Sequence, residues 1–70
     1  MTDVRAEIAA NVWQVRVDPG QVVAEGDTVV ILESMKMEIP VEAPAAGRVT
    51  EVKVEPNDQV QEGDLLAIIE

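Results

Sequence analysis

Lys36 is the side chain in this sequence best set for covalent chemistry. It lies between Met35 and Met37 in the run Glu33-Ser34-Met35-Lys36-Met37-Glu38, with an acid at each end. A lysine amine reacts in one of two settings. Burial or a neighbouring cation turns it into a catalytic nucleophile or base, or a separate enzyme deprotonates and acylates it. The motif contains no second cation, so Lys36 is not self-activating, and the acceptor role fits it. The competing reading is an ordinary solvated lysine in a surface turn.

Composition removes other chemistries. The chain has no histidine and no cysteine, which leaves no Ser–His or Cys–His dyad, no disulfide and none of the usual zinc sites. Phe and Tyr are absent and Trp13 is the single aromatic residue, so nucleic-acid bases find nothing to stack on. Fourteen acids face five bases, a net charge of −9. Phosphate backbones and anionic membrane surfaces call for the opposite sign. Solubility alone accounts for such acidity, a basic partner surface being the other reading.

Met1 to Ile8 carries Asp3, Arg5 and Glu7 instead of the apolar core of a signal peptide, and Val29-Val30-Ile31-Leu32 is too short to span a bilayer. A length of 70 residues predicts one domain over 1–70, with a small and economical core. A cytoplasmic monomer is the expectation.

The elements that must position Lys36 are strands. Valine-rich segments alternate with turn residues, which predicts an all-β chain. The expected strands are Val4 to Ala10, Val12 to Val17, Thr28 to Leu32, Met37 to Glu42, Val49 to Val54 and Leu65 to Ile69, with Trp13 at a partly buried strand position. Asp18-Pro19-Gly20-Gln21 reads as a type II turn, Pro19 fixing one φ and Gly20 supplying a positive one. Glu55-Pro56-Asn57-Asp58 repeats that chemistry with Asn57 at the positive-φ place, and Gly26 and Gly63 mark two further turns. Ala43-Pro44-Ala45-Ala46-Gly47 reads as a loop. Lys36 then falls at or near the tip of a hairpin. Tight hairpins favour Asn-Gly or Gly-X because their central residues need φ > 0. Ser34-Met35-Lys36-Met37 offers neither, so these side chains serve something other than turn stability.

An internal repeat organises the whole. Without gaps, Val12–Glu33 aligns onto Val49–Glu70, with identities at Val12/Val49, Val15/Val52, Val17/Val54, Pro19/Pro56, Val23/Val60, Glu25/Glu62, Gly26/Gly63, Asp27/Asp64, Ile31/Ile68 and Glu33/Glu70. Two similar β-units predict two halves related by a pseudo-twofold axis, with the core between them. Shifting Glu33 by one repeat lands on Glu70, and shifting Glu38 back lands on Met1. The lysine hairpin is thus the symmetry equivalent of the chain ends, and Lys36 is expected at the pole opposite them. Ala10 stands where the second copy has Gly47, which leaves the geometry of the first loop open.

Glu33-Ser34-Met35-Lys36-Met37-Glu38 resembles the attachment motif of biotinyl domains. Over essentially its whole length the chain is similar to the small stand-alone biotin/lipoyl attachment proteins related to biotin carboxyl carrier domains. The resemblance implies a flattened barrel or sandwich of two four-stranded antiparallel sheets, with Lys36 on a protruding turn. It implies covalent biotin on Lys36, attached by biotin protein ligase. The group then carries a carboxyl between biotin carboxylase and carboxyltransferase, and the carrier has no catalytic residue of its own. Glu33, Ser34, Met35, Met37 and Glu38 become candidates for recognition by the ligase and the carboxylase. Met35 and Met37 are alternatively apolar strand residues, and Glu33, with its repeat mate Glu70, fits a structural strand end equally well. Ser34 stands where carriers commonly have Ala. The thumb insertion of some acetyl-CoA carboxylase carriers, and the linker and partner domains of larger carriers, have no counterpart here. Two rival readings share the fold. A lipoyl domain usually sets its lysine in Asp-Lys-Ala, against which Met35-Lys36-Met37 argues, and an unmodified interaction module has no use for Met-Lys-Met at a tip.

Overall fold

Eight β-strands and no helix make up the chain in a computed structural model that describes residues 1–70. They are β1 (Thr2–Arg5), β2 (Ala10–Val15), β3 (Val22–Val23), β4 (Thr28–Ser34), β5 (Met37–Glu42), β6 (Gly47–Val52), β7 (Gln59–Val60) and β8 (Leu65–Ile69). One four-stranded sheet has the order β1-β8-β6-β3 and the other β5-β4-β2-β7. All pairings are antiparallel. The molecule is elongated, 31 × 17 × 17 Å, and the all-β, two-sheet architecture is the one expected. No helix is long and apolar enough to cross a membrane.

Each sheet takes two strands from each repeat. The first unit supplies β1 and β3 to one sheet and β2 and β4 to the other, and the second unit supplies the remaining strands in the symmetric arrangement. The turns interlock the units further. Asn57 donates its N–H to the Val12 carbonyl at 2.8 Å, and Val12 N–H donates to Asp58 at 2.7 Å. In the twofold-related contact, Gly20 donates to the Val49 carbonyl at 2.6 Å and Val49 N–H donates to Gln21 at 2.8 Å. Thr2↔Ile69 joins β1 to β8 as Ile39↔Leu32 joins β5 to β4. The chain ends therefore occupy in one sheet the place that the lysine hairpin holds in the other.

The turns share one design. Gly20, Gly26, Asn57 and Gly63 have φ of 92°, 91°, 78° and 89°, and each precedes a residue whose N–H bonds back to close the turn: Gln21 to Asp18, Asp27 to Ala24, Asp58 to Glu55 and Asp64 to Gln61. The closing residue's side chain then accepts the N–H of the opening one, Asp27 from Ala24 at 2.9 Å, Asp58 from Glu55 at 2.8 Å, Asp64 from Gln61 at 2.8 Å and Gln21 from Asp18 at 3.1 Å. This doubles the hydrogen bonding of a type II turn and fixes its orientation. Pro19 and Pro56 precede the positive-φ residues Gly20 and Asn57, each pre-setting the negative φ before the reversal.

Between the sheets lies an entirely apolar core that includes Val12, Val29, Val30, Leu32, Val49, Leu66 and Ile69, with no buried polar or charged residue. Burying each such side chain contributes about 1.5–3 kcal/mol. No buried side-chain nitrogen or oxygen lacks a partner, so the fold carries no penalty of that kind.

Several expected bounds are corrected. β1 stops at Arg5, where Val4 to Ala10 was expected to run on, because Ala6 N–H donates to Asp64 and Gly63 N–H to the Ala6 carbonyl, after which the chain crosses to the other sheet. β2 and β6 begin and end earlier than Val12 to Val17 and Val49 to Val54. The two-residue strands β3 and β7 were not expected, being too short for alternation to show. Gly47, expected in a loop, opens β6, and its φ is not among the positive ones. Its role is steric, since a Cβ there would collide with the Glu70 carbonyl oxygen and lie 2.7 Å from Ile69 Cγ2.

Candidate functional site: the Lys36 hairpin

At their far ends β4 and β5 pair as Leu32↔Ile39, Glu33↔Glu38 and Ser34↔Met37. That register leaves Met35 and Lys36 as a two-residue turn with φ of 53° and 65°. Positive φ at both central residues is what a type I′ hairpin requires. For a residue with a Cβ the left-handed conformation costs roughly 1–2 kcal/mol, a cost that Asn-Gly would largely avoid. Lys36 is held at the tip by the register of the two strands, not by its own preference.

Pleating sends alternate pairs to opposite faces. Leu32 is buried in the core and Ile39 packs against it. Ser34 and Met37 follow on that same side but lie past the end of the core, so Met37 remains 60% exposed, and Met35 on the turn is 90% exposed. Neither methionine is a core residue. Glu33 and Glu38 project from the outer face, exposed and directly opposite each other, an arrangement that disfavours a hairpin because like charges meet. The Lys36 side chain is exposed and enters no ion pair or hydrogen bond. The ion pairs of the chain lie elsewhere, Arg5–Asp3 at 2.9 Å and Lys53–Glu51 at 2.8 Å. No group of His, Cys, Asp or Glu side chains is arranged to hold a metal ion.

Trp13 belongs to the same sheet. The β2–β4 register slips between Val12↔Leu32 and Gln14↔Ile31, which makes Trp13 the extra residue of a β-bulge. Val12 is buried and Val15 packs against the core, so Trp13 and Gln14 both face outward opposite Ile31. Trp13 is 43% exposed, more than the partly buried place expected for it. Its repeat mate is the signal available in the sequence, for at the equivalent bulge the second copy has Thr50.

A duplicated β-unit folded into two interlocked sheets, with one free lysine on the hairpin that closes one of them, is the architecture of a biotin/lipoyl attachment domain. The chain belongs to that family: the biotin/lipoyl family model, described as biotin-requiring enzyme, matches residues 1–69. Among curated relatives, a biotinylated protein TB7.3 homolog of Mycolicibacterium smegmatis is 66% identical over 41 residues, which is 59% of this chain and 58% of the relative. A biotin/lipoyl attachment protein of Bacillus subtilis is 50% identical over 40 residues, 57% of this chain and 55% of that protein. The matched stretch thus spans less than two thirds of either relative. Among solved structures, the urea carboxylase of Kluyveromyces lactis superposes with a TM-score of 0.93 at 33% identity, covering 99% of this chain and 6% of that one. A single-chain, multi-domain long-chain acyl-CoA carboxylase does so with a TM-score of 0.88 at 36% identity, covering 94% of this chain and 6% of that one.

Proposed function

We propose that this chain is a biotin carrier, modified on Lys36 by a biotin protein ligase and serving a biotin-dependent carboxylase without being catalytic itself. The observation that carries the reading is the turn. Met35 and Lys36 occupy left-handed backbone that neither residue favours, and the like-charged pair Glu33↔Glu38 sits beneath them. A hairpin selected for stability alone has no reason to combine these features. Local rules are broken where function requires it.

Attachment fits the residues present. The Lys36 amine is exposed at the tip of the β4–β5 hairpin and bound to nothing, so an enzyme's active site reaches it without unfolding the sheet. Within the ligase, the deprotonated Lys36 Nζ attacks the acyl carbon of biotinyl-AMP. A C–N amide bond forms as the nitrogen gives up a proton to solvent, the acyl–phosphate bond breaks, and AMP leaves with the bonding electrons. Biotin, when attached, supplies the site on which a carboxyl group travels between biotin carboxylase and carboxyltransferase. The chain's own contribution is presentation: the side chain and the valeryl arm together reach on the order of 12–15 Å from the backbone. Glu33, Ser34, Met35, Met37 and Glu38 are the residues around the amine that a partner meets first, and the exposed methionines offer a soft, adaptable contact. The reading places the chain in the cytoplasm, as a monomer that meets its partners through transient interfaces.

Intact mass spectrometry with site mapping, on chain incubated with biotin protein ligase, biotin and MgATP, tests this. A gain of one biotinyl group on Lys36 is expected. A lipoyl group in that place on chain purified from its host would move the protein to the lipoyl pathway, and no modification under either condition would refute the carrier reading.

A further inference from the structure

The outer face of the lysine-bearing sheet has an apolar strip that its symmetry mate lacks. Trp13 and Gln14 on β2, Ile31 on β4 and Pro40 on β5 lie side by side across three neighbouring strands. The repeat places Thr50, Glu51, Ile68 and Asp3 at the corresponding positions of the other sheet. Both copies have the same bulge, slipping between Val12 and Gln14 in one and between Val49 and Glu51 in the other. In the second copy Thr50 fills the bulge and donates its hydroxyl to the Ile68 carbonyl at 3.3 Å, while Asp3–Arg5 and Glu51–Lys53 ion pairs dress the face around it. The fold therefore does not need a tryptophan at this bulge, and bulges re-aim side chains. Pro40 also withholds a donor from the edge strand β5, so the decisive contrast is Trp13 against Thr50.

We infer that the strip of Trp13, Ile31 and Pro40 is the docking surface for the biotin protein ligase, an inference that rests on the carrier reading of Lys36. Position and charge select the ligase among partners. The ligase must take in the Lys36 amine itself, so its surface closes on the hairpin and the adjoining sheet. Enzymes that act on the far end of the attached arm work about 12–15 Å from the backbone and have no need of this face. Ile31↔Pro40 lies three residue pairs below Ser34↔Met37, about 10 Å at the usual strand rise. An ordinary interface of about 800 Å² per partner covers both. Towards the tip the strip is bordered by Glu33 and Glu38, and Arg16, the basic side chain near its other end, is engaged by Gln14 at 3.2 Å. The ligase therefore offers an apolar recess for the indole, with Lys or Arg at the hairpin end. Exposed tryptophans that enter such recesses dominate binding energy.

The test is the steady-state rate of biotin incorporation as a function of chain concentration, with a bacterial biotin protein ligase, biotin and MgATP. Trp13→Thr installs the residue that the other copy already uses, and Trp13→Phe keeps an aromatic anchor. Trp13→Thr is expected to raise KM for the chain about tenfold or more with kcat within about twofold, and Trp13→Phe to recover most of the loss. An unchanged KM in Trp13→Thr, with the wild type labelled normally, overturns the docking surface and leaves the carrier reading intact. A wild type that takes no biotin overturns both. Sedimentation of the same proteins adds an arm: a wild-type dimer that becomes monomeric in Trp13→Thr assigns the face to a second copy and overturns the inference. If Trp13→Thr does not fold, the 19F resonance of 5-fluorotryptophan at position 13 of the otherwise unaltered chain decides. It is expected to shift and broaden on titration with ligase, and an unmoved signal overturns the inference.

Discussion

Met35 and Lys36 stand next to each other in left-handed backbone, φ 53° and 65°, at the one hairpin of the fold whose tip bears a lysine. Elsewhere the chain fills its positive-φ turn positions with Gly20, Gly26, Asn57 and Gly63, residues suited to that conformation. On the carrier reading, the contrast marks the Lys36 turn as a place where stability yields to presentation. Replacing the pair with Asn-Gly, as Met35→Asn with Lys36→Gly, is expected to stabilise the fold by about 1–2 kcal/mol while removing the proposed attachment amine. Denaturant unfolding followed by far-ultraviolet circular dichroism measures the gain. A variant less stable than the wild type would show that Met35 or Lys36 contributes packing that their exposure conceals.

Lys36→Arg separates modification from folding. Arginine keeps the charge and the length and bears the same backbone strain, but its guanidinium stays protonated and is not acylated as an amine. Since Lys36 is exposed and partnerless, unfolding free energy is expected to stay within about 0.5 kcal/mol of the wild type. Mass spectrometry is expected to show no biotin incorporated. Labelling that persists would place the attachment at Lys53 or the Met1 amino group, the other amines of the chain, and early unfolding would make Lys36 a structural residue.

Much of this was legible in the sequence because it rests on residue types with narrow conformational preferences. Pro19-Gly20 and Pro56-Asn57 announced their turns, and the apolar run Leu65–Ile69 and the segment Met37–Glu42 gave β8 and β5 to the residue. The gapless repeat discloses the twofold relation by itself. What escaped has no such marker. The crossing at Glu7-Ile8-Ala9 holds neither Gly nor Pro, whereas its counterpart Pro44-Ala45-Ala46 does, so the first copy read as continuous strand. The bulges at Trp13 and Thr50 are differences of register between strands distant in sequence. The conformation of Met35 and Lys36 runs against their own preferences, and only the pairing of Ser34 with Met37 reveals it.

Gly47 tests the difference between a glycine needed for φ and one needed for space. A Cβ there would run into the Glu70 carbonyl and sit 2.7 Å from Ile69 Cγ2, and backbone cannot move aside as a flexible side chain can. Gly47→Ala is expected to cost about 1–3 kcal/mol, lowering the melting temperature by several degrees in a domain of this size. The symmetric exchange Ala10→Gly removes a Cβ that the first copy accommodates, and costs only the usual 0.5–1 kcal/mol or so of a glycine in a strand. Calorimetry on the two variants checks the order. Equal losses would mean that β8 shifts to accept the methyl group.

The interlocked halves set the last expectation. Each sheet is built from two strands of each repeat, and Val12 and Val49 each complete their backbone hydrogen bonds with a turn of the other unit. A peptide of residues 1–37 alone would expose the faces of β2 and β4 that β6 and β8 cover, and would leave β1 and β3 without any partner strand. Half of an already small core cannot offset the entropy of ordering the chain. Peptides 1–37 and 38–70 are each expected to be unstructured by circular dichroism, with amide exchange complete at the first measured time. Mixed in equal amounts, they are expected to regain β-structure with a concentration-dependent transition, because the pairings between them outnumber those either forms alone. Cooperative folding of one peptide by itself would show that a single repeat holds a core of its own, and would reduce the twofold relation to a resemblance of sequence.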